Sequence, residues 1–247
     1  MQLNGTTALV TGGARRVGRA IVQALAHAGC DVAVHYLRSE TEARQLVSEV
    51  TAAGVRAVAV RGDLHDPASW PAIVEETVET LGRLNILVNN AAVFLTQEAD
   101  TLDDFSPRLW EGVLRTNLTA VCGLCHHARR HLEADGRGRI VNLCDISAER
   151  PWPDHLAYCV SKAGLAALTR ALARELAPAI LVNGVAPGIA AFPEEYADDT
   201  RRKLTRRVPL GRPGTPNDVA QAVRFLVESN DYITGEIIRV DGGRSLE

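Results

Sequence analysis

The sequence predicts an α/β fold: one domain spanning residues 1–247, with a doubly wound, seven-stranded parallel sheet flanked by helices. Three observations predict it. Short apolar runs alternate with longer amphipathic stretches along the whole chain. The apolar runs are nearly continuous in character, as parallel strands covered on both faces require. A chain of 247 residues with 46% hydrophobic residues can bury a large core, and no linker, repeat or low-complexity segment divides it.

The expected strands are Thr7–Val10, Asp31–His35, Ala57–Val60, Ile86–Asn89, Arg139–Leu143, Leu181–Val185 and Ile237–Val240. Helical periodicity fills the intervals at about 16–28, 40–53, 68–81, 107–134, 156–177 and 216–228, the last opening on the cap-like Thr215-Pro216-Asn217-Asp218. Residues 186–213, rich in Pro, Gly and charge, show no clear strand or helix and read as a lid or substrate loop.

A net charge of -3 supplies no field for nucleic acid, and no run reaches the ~20 apolar residues that span a bilayer. With no basic leader or apolar leader core at the start, the expected location is the cytosol. The five cysteines (30, 122, 125, 144 and 159) are odd in number and set among apolar neighbours, which suggests reduced, buried thiols. Cys122-Gly-Leu-Cys125-His126 formally matches haem and redox patterns. Its helical context makes both thiols packing residues on one face, and no metal site is expected.

Chemistry concentrates at the predicted carboxyl edge of the sheet. In Thr11-Gly12-Gly13-Ala14-Arg15-Arg16-Val17-Gly18 the first strand ends and the first helix begins, so backbone amides face an anion with the helix dipole behind them. After the second strand, His35-Tyr36-Leu37-Arg38-Ser39 carries no acid to bond both ribose hydroxyls. Arg38 and Ser39 suit a 2′-phosphate instead, which favours NADPH over NADH. Asp63 and Asn90-Ala91 follow the third and fourth strands at the same edge. Tyr158 and Lys162 lie one helical turn apart; a nearby ammonium lowers a phenol's pKa and would let Tyr158 exchange a proton near neutral pH.

These stretches, with Asn117 in RTNLT, VNGVAPG and the terminal ITGEIIRVDGG, resemble the short-chain dehydrogenase/reductase family over essentially the entire chain. The resemblance implies a Rossmann-type domain with Tyr158 as acid/base, Lys162 as its modulator and ribose anchor, and Asn117 as holder of a relay water. It implies a cofactor surface of Gly12, Arg15, Arg16, Val17 and Gly18; His35, Tyr36, Arg38 and Ser39; Asp63 and Leu64; Asn90 and Ala91; Tyr158 and Lys162; and Pro187 and Gly188. It also implies a homotetramer paired through the apolar face around Leu118–Leu132.

Thirteen residues before the tyrosine, where most members carry a serine, stands Asp145. A carboxylate there repels a developing alkoxide. Ser147 is too close in sequence to Tyr158 to be the standard serine, although loop geometry could let it substitute. Asp145 together with Arg16, HYLRS and Phe94 is similar to the pteridine reductase and dihydromonapterin (dihydrofolate) reductase branch, which implies a pterin or folate substrate touched by Arg16, Phe94, Asp145 and Tyr158. Arg16 either bonds the pterin or holds phosphate. Ala92 departs from that branch, which can carry a pterin-bonding serine there, and Trp152 is read as loop structure. Two further readings stay open: a carbonyl reductase of the same family, and a non-catalytic NADPH-binding regulator, against which the intact Tyr158, Lys162 and Asn117 argue.

Overall fold

The computed structural model describes residues 1–94, 100–228 and 231–246. Seven strands, β1 (Thr7–Val10), β2 (Asp31–Tyr36), β3 (Ala57–Arg61), β4 (Ile86–Asn89), β5 (Gly138–Leu143), β6 (Ile180–Pro187) and β7 (Ile237–Val240), form one sheet in the order β3-β2-β1-β4-β5-β6-β7. Every pairing is parallel. The strand order reverses between β1 and β4, and such a reversal opens a crevice at the carboxyl ends of the strands.

Helices cover both faces because the strands are apolar on both. On one side α1 (Arg16–His27), α2 (Glu40–Ala52) and α8 (Pro216–Glu228) close a core that includes Val10, Ile21, Leu25, Val34, Leu46 and Val223. On the other, α3 (Ser69–Leu81), α5 (Ala120–Glu133) and α6 (Leu156–Leu176) pack a second core that includes Leu9, Leu87, Leu124, Ile140 and Leu165. Gly123 allows the closest approach there, since a Cβ on it would enter the ring of Trp70.

Three expectations are corrected. The helix expected over 107–134 is α4 (Pro107–Leu114) and α5 joined by a π-helical turn, Arg115–Thr119, which contains Asn117; a widened turn of this kind is often found at functional sites. The irregular stretch 186–213 is less irregular than its composition suggests: β6 runs on to Pro187, and α7 (Asp198–Thr205) lies within it with no buried residue. Cys122 is exposed while Cys30, Cys125, Cys144 and Cys159 are buried, so of the two C-x-x-C thiols within α5 only Cys125 is a packing residue. In the Leu118–Leu132 stretch, Val121, Leu124, Ala128 and Leu132 are buried in the chain's own core. No described helix is long and apolar enough to cross a membrane.

Candidate active site

The turn between β1 and α1 is held from below. Gly12 adopts φ +60°, in the left-handed region open to glycine, and a Cβ on Gly18 would collide with the Gly12 carbonyl and the Asn90 amide. Asn90 Nδ2 donates to the carbonyls of Thr11 (2.8 Å) and Gly12 (3.1 Å), while Thr11 Oγ1 accepts from the amides of Asn90 and Ala91. His35 lies buried beneath the turn. Its Nδ1 accepts from Gly12 N at 3.1 Å, so the ring proton sits on Nε2 and is donated to Gly62 O at 3.2 Å. Burial drives the His35 pKa down to about 4, which keeps this bridge neutral.

A cavity of about 640 Å³ opens beside the turn. Gly12, Arg15, Arg16, Val17, Gly18, Asn90, Ala91, Phe94, Asp145, Tyr158, Lys162, Pro187 and Gly188 all line it, so the folded chain brings together most of the residues marked in the sequence. Others stand apart. The Tyr36 and Leu64 side chains are buried in the two cores and His35 supports the turn from inside. Arg38, Ser39 and Asp63 follow β2 and β3 outside the cavity wall. Asp63 Oδ1 accepts from His65 N at 2.9 Å, while the Ser39 hydroxyl makes no capping bond to α2.

At the head of the cavity the Tyr158 hydroxyl donates to Asp145 Oδ2 at 3.0 Å. Asp145 is fixed by its own loop, since Oδ1 accepts from Ser147 N at 2.8 Å. Burial raises the Asp145 pKa, with the Ser147 amide and the Lys162 ammonium opposing it. Tyr158 runs opposite to the sequence expectation: burial first, then the Asp145 carboxylate, raise its pKa well above that of a free phenol. Lys162 does not offset this. Its Nζ donates to Leu143 O at 2.7 Å and lies 5.7 Å from the Tyr158 ring centroid, and burial lowers its own pKa. Tyr158 is therefore a protonated donor held against a carboxyl group. Ser147 is fully buried and absent from the cavity wall, which removes it as a stand-in for the serine.

Asn117 is a brace. Its Oδ1 accepts from Val93 N at 2.8 Å, and its Nδ2 donates to Val93 O and Ser161 Oγ, tying the segment after β4 to α6. That segment carries Phe94, whose ring meets Tyr158 edge-on with centroids 4.8 Å apart. Trp152 stacks on Tyr158 at 6.1 Å and meets Phe94 edge-on at 6.3 Å, and His155 completes an aromatic wall. Trp152 is thus part of the site, correcting its reading as mere loop structure. Arg16, at φ 51°, donates to the carbonyls of Ala191 (3.2 Å) and Phe192 (3.1 Å), clasping the segment after β6 to the nucleotide turn. Neither alternative read from the sequence anticipated this contact.

Several contributors left no readable signal. Asp100 Oδ2 accepts from the amides of Ala157 and Tyr158, capping α6 from a distant segment. Arg207 and Arg244 reach the cavity from the end of α7 and from the C-terminal turn. Each looked like an ordinary surface charge, since only the folded chain places it.

A family model described as enoyl-(acyl carrier protein) reductase matches residues 12–245. The chain is 35% identical over 245 residues to a 3-oxoacyl-[acyl-carrier-protein] reductase, FabG, of Staphylococcus aureus, covering 96% of this chain and 97% of that one. Among solved structures it superposes with TM-score 0.91 on a blue fluorescent protein from a metagenomic library in complex with NADPH, at 36% identity and 99% coverage of each chain. FolM alternative dihydrofolate reductase 1 from Brucella canis, complexed with NADP, also superposes at 0.91, with 32% identity over 100% of this chain and 96% of that one. The parallel sheet, the braced nucleotide turn and the Tyr158–Lys162 pair agree with these matches: the chain belongs to the short-chain dehydrogenase/reductase family of oxidoreductases.

Proposed function

We propose that this chain is an NADPH-dependent reductase of a pterin ring, acting on a dihydropterin such as dihydrobiopterin or dihydromonapterin, or on dihydrofolate. The observation that carries the reading is the Tyr158–Asp145 hydrogen bond at the head of an aromatic-walled cavity. Reduction of a ketone develops an alkoxide that needs hydrogen-bond donors, and a carboxylate at that point opposes it. Reduction of a C=N bond needs a proton delivered to nitrogen, and a neutral phenol backed by a carboxyl group of raised pKa is suited to supply one.

The residues present fit the cofactor. The glycine turn leaves no room for side chains at Gly12 and Gly18, it opens α1 beside the cavity, and Ser39 and Arg38 stand at the end of β2 with the hydroxyl uncommitted. When bound, NADPH supplies the hydride. Tyr158 donates its proton to the ring nitrogen, and Asp145, whose raised pKa lets it take up a proton from solvent, passes that proton to the phenolate across the 3.0 Å contact. Lys162 keeps a positive charge beside both groups, held in place by Leu143 O. Phe94 and Trp152 present flat apolar walls against Tyr158.

A ketone reductase is the second reading, favoured by the FabG relative. NADPH oxidation measured with dihydrobiopterin, dihydromonapterin, dihydrofolate and a small diketone separates the two. Turnover of a pterin supports the proposal; efficient diketone reduction with no pterin turnover replaces it by the second reading, and cofactor binding with no turnover of anything favours the regulator.

A further inference from the structure

The cavity wall carries two guanidinium groups that the proton chemistry does not use. Arg207 lies just beyond α7 and Arg244 on the C-terminal turn, and both line the cavity. Their juxtaposition is built by the fold. The Gly242 carbonyl accepts from Leu210 N at 3.2 Å, and the backbone of Gly242 and Gly243 packs on Val208 and Pro209, so the C-terminal turn sits against the exit of the substrate loop. Asp241 holds that turn rigid through the amides of Gly243 (3.0 Å) and Ser245 (2.8 Å), and Arg150 donates to Ser245 O at 2.9 Å.

Arg244 stands over the ring of Trp152, 5.6 Å from its centroid, and Trp152 in turn stacks on Tyr158. One aromatic ring therefore separates this charge from the proton donor. No ion pair among the described residues engages Arg207 or Arg244. Burial lowers the Arg244 pKa, and the charge of Arg207 lowers it further, while Asp145 and Asp241 oppose the shift. Two like charges that line one cavity and act on each other favour a shared anion, and guanidinium groups match a carboxylate in geometry.

We infer that Arg207 and Arg244 form a carboxylate subsite in the cavity wall, beyond Trp152 from Tyr158, which takes the acidic tail of a substrate whose reducible ring lies against Tyr158. On the pterin reading, on which this inference rests, the substrate class is a pterin carrying an aryl-linked amino-acid carboxylate, as in dihydrofolate, in preference to a pterin with an uncharged side chain.

The test separates tail from ring. p-Aminobenzoyl-glutamate, which carries the tail alone, is titrated calorimetrically into the NADPH-saturated protein and its Arg207→Ala, Arg244→Ala and Arg244→Lys variants, with thermal midpoints as a check on folding. The fragment should bind the wild type, weaken by about tenfold in each alanine variant as one charge-assisted contact is lost, and recover in part with lysine. In turnover, KM for dihydrofolate should rise about tenfold more than KM for dihydrobiopterin in Arg207→Ala, a change at an exposed position that the fold tolerates. Absence of fragment binding, or equal losses on both substrates, overturns the subsite. Arginine-dependent fragment binding without turnover of either pterin supports the subsite and refutes the pterin reading instead.

Discussion

Acid should unfasten the nucleotide turn through His35. In the folded chain Nδ1 must remain unprotonated to accept from Gly12 N, and burial holds the pKa near 4, against an ordinary value of 6.5. A histidine whose folded pKa is depressed adds stability that is complete above 6.5 and is lost as pH falls toward 4. At about 1.4 kcal/mol per unit, the shift corresponds to about 3 kcal/mol. For a chain of this length that is a fall of roughly 10 °C in melting temperature, beyond the decline shared by all carboxylates. Calorimetric melting curves between pH 7.5 and 4, with and without NADPH, should show it. The reference is His35→Gln, whose amide accepts from Gly12 N and donates to Gly62 O without titrating in this range. Wild type should lose both stability and NADPH affinity more steeply than the glutamine variant across that window. Superimposable pH profiles for the two proteins would refute the reasoning.

Asp145→Asn keeps the shape and the Ser147 contact but removes the proton store, so pterin turnover should fall by about 10²-fold or more. In wild type the protonated fraction of Asp145 declines as pH rises through its raised pKa, so kcat should decline in the same direction; the asparagine variant should lose that limb, and its retention would assign the ionisation elsewhere. Arg38→Ala should reduce the preference for NADPH over NADH by about tenfold, at the lower end of a charged contact because Arg38 is exposed; equal Kd ratios in fluorescence titrations would exclude a phosphate role. Asp100→Ala removes the acceptor at the start of α6 and should destabilise by about 1 kcal/mol while lowering kcat more than cofactor affinity, measured by denaturant melts and steady-state kinetics.

The parallel sheet was legible in the sequence because doubly covered strands must be apolar throughout, and all seven strands lie where the apolar runs placed them to within a few residues. The nucleotide turn, Tyr158 and Lys162 were legible for a related reason: a strand-to-helix turn and a one-turn helical spacing are local geometries that local residues determine. Electrostatics were not local. Whether Lys162 or Asp145 dominates Tyr158 depends on burial and on which oxygen lies 3.0 Å away, and the fold settled it in favour of Asp145, reversing the expected shift. His35 read as a cofactor contact because its position after β2 is visible in the sequence, whereas its buried bridge between Gly12 and Gly62 requires three strands to be assembled. Arg16, Arg207 and Arg244 show the limit most plainly. Each is one arginine among many in the sequence, and only the packing of the substrate loop against the nucleotide turn and the C-terminal turn gives each its contacts, because a long flexible side chain takes its role from the groups brought within its reach.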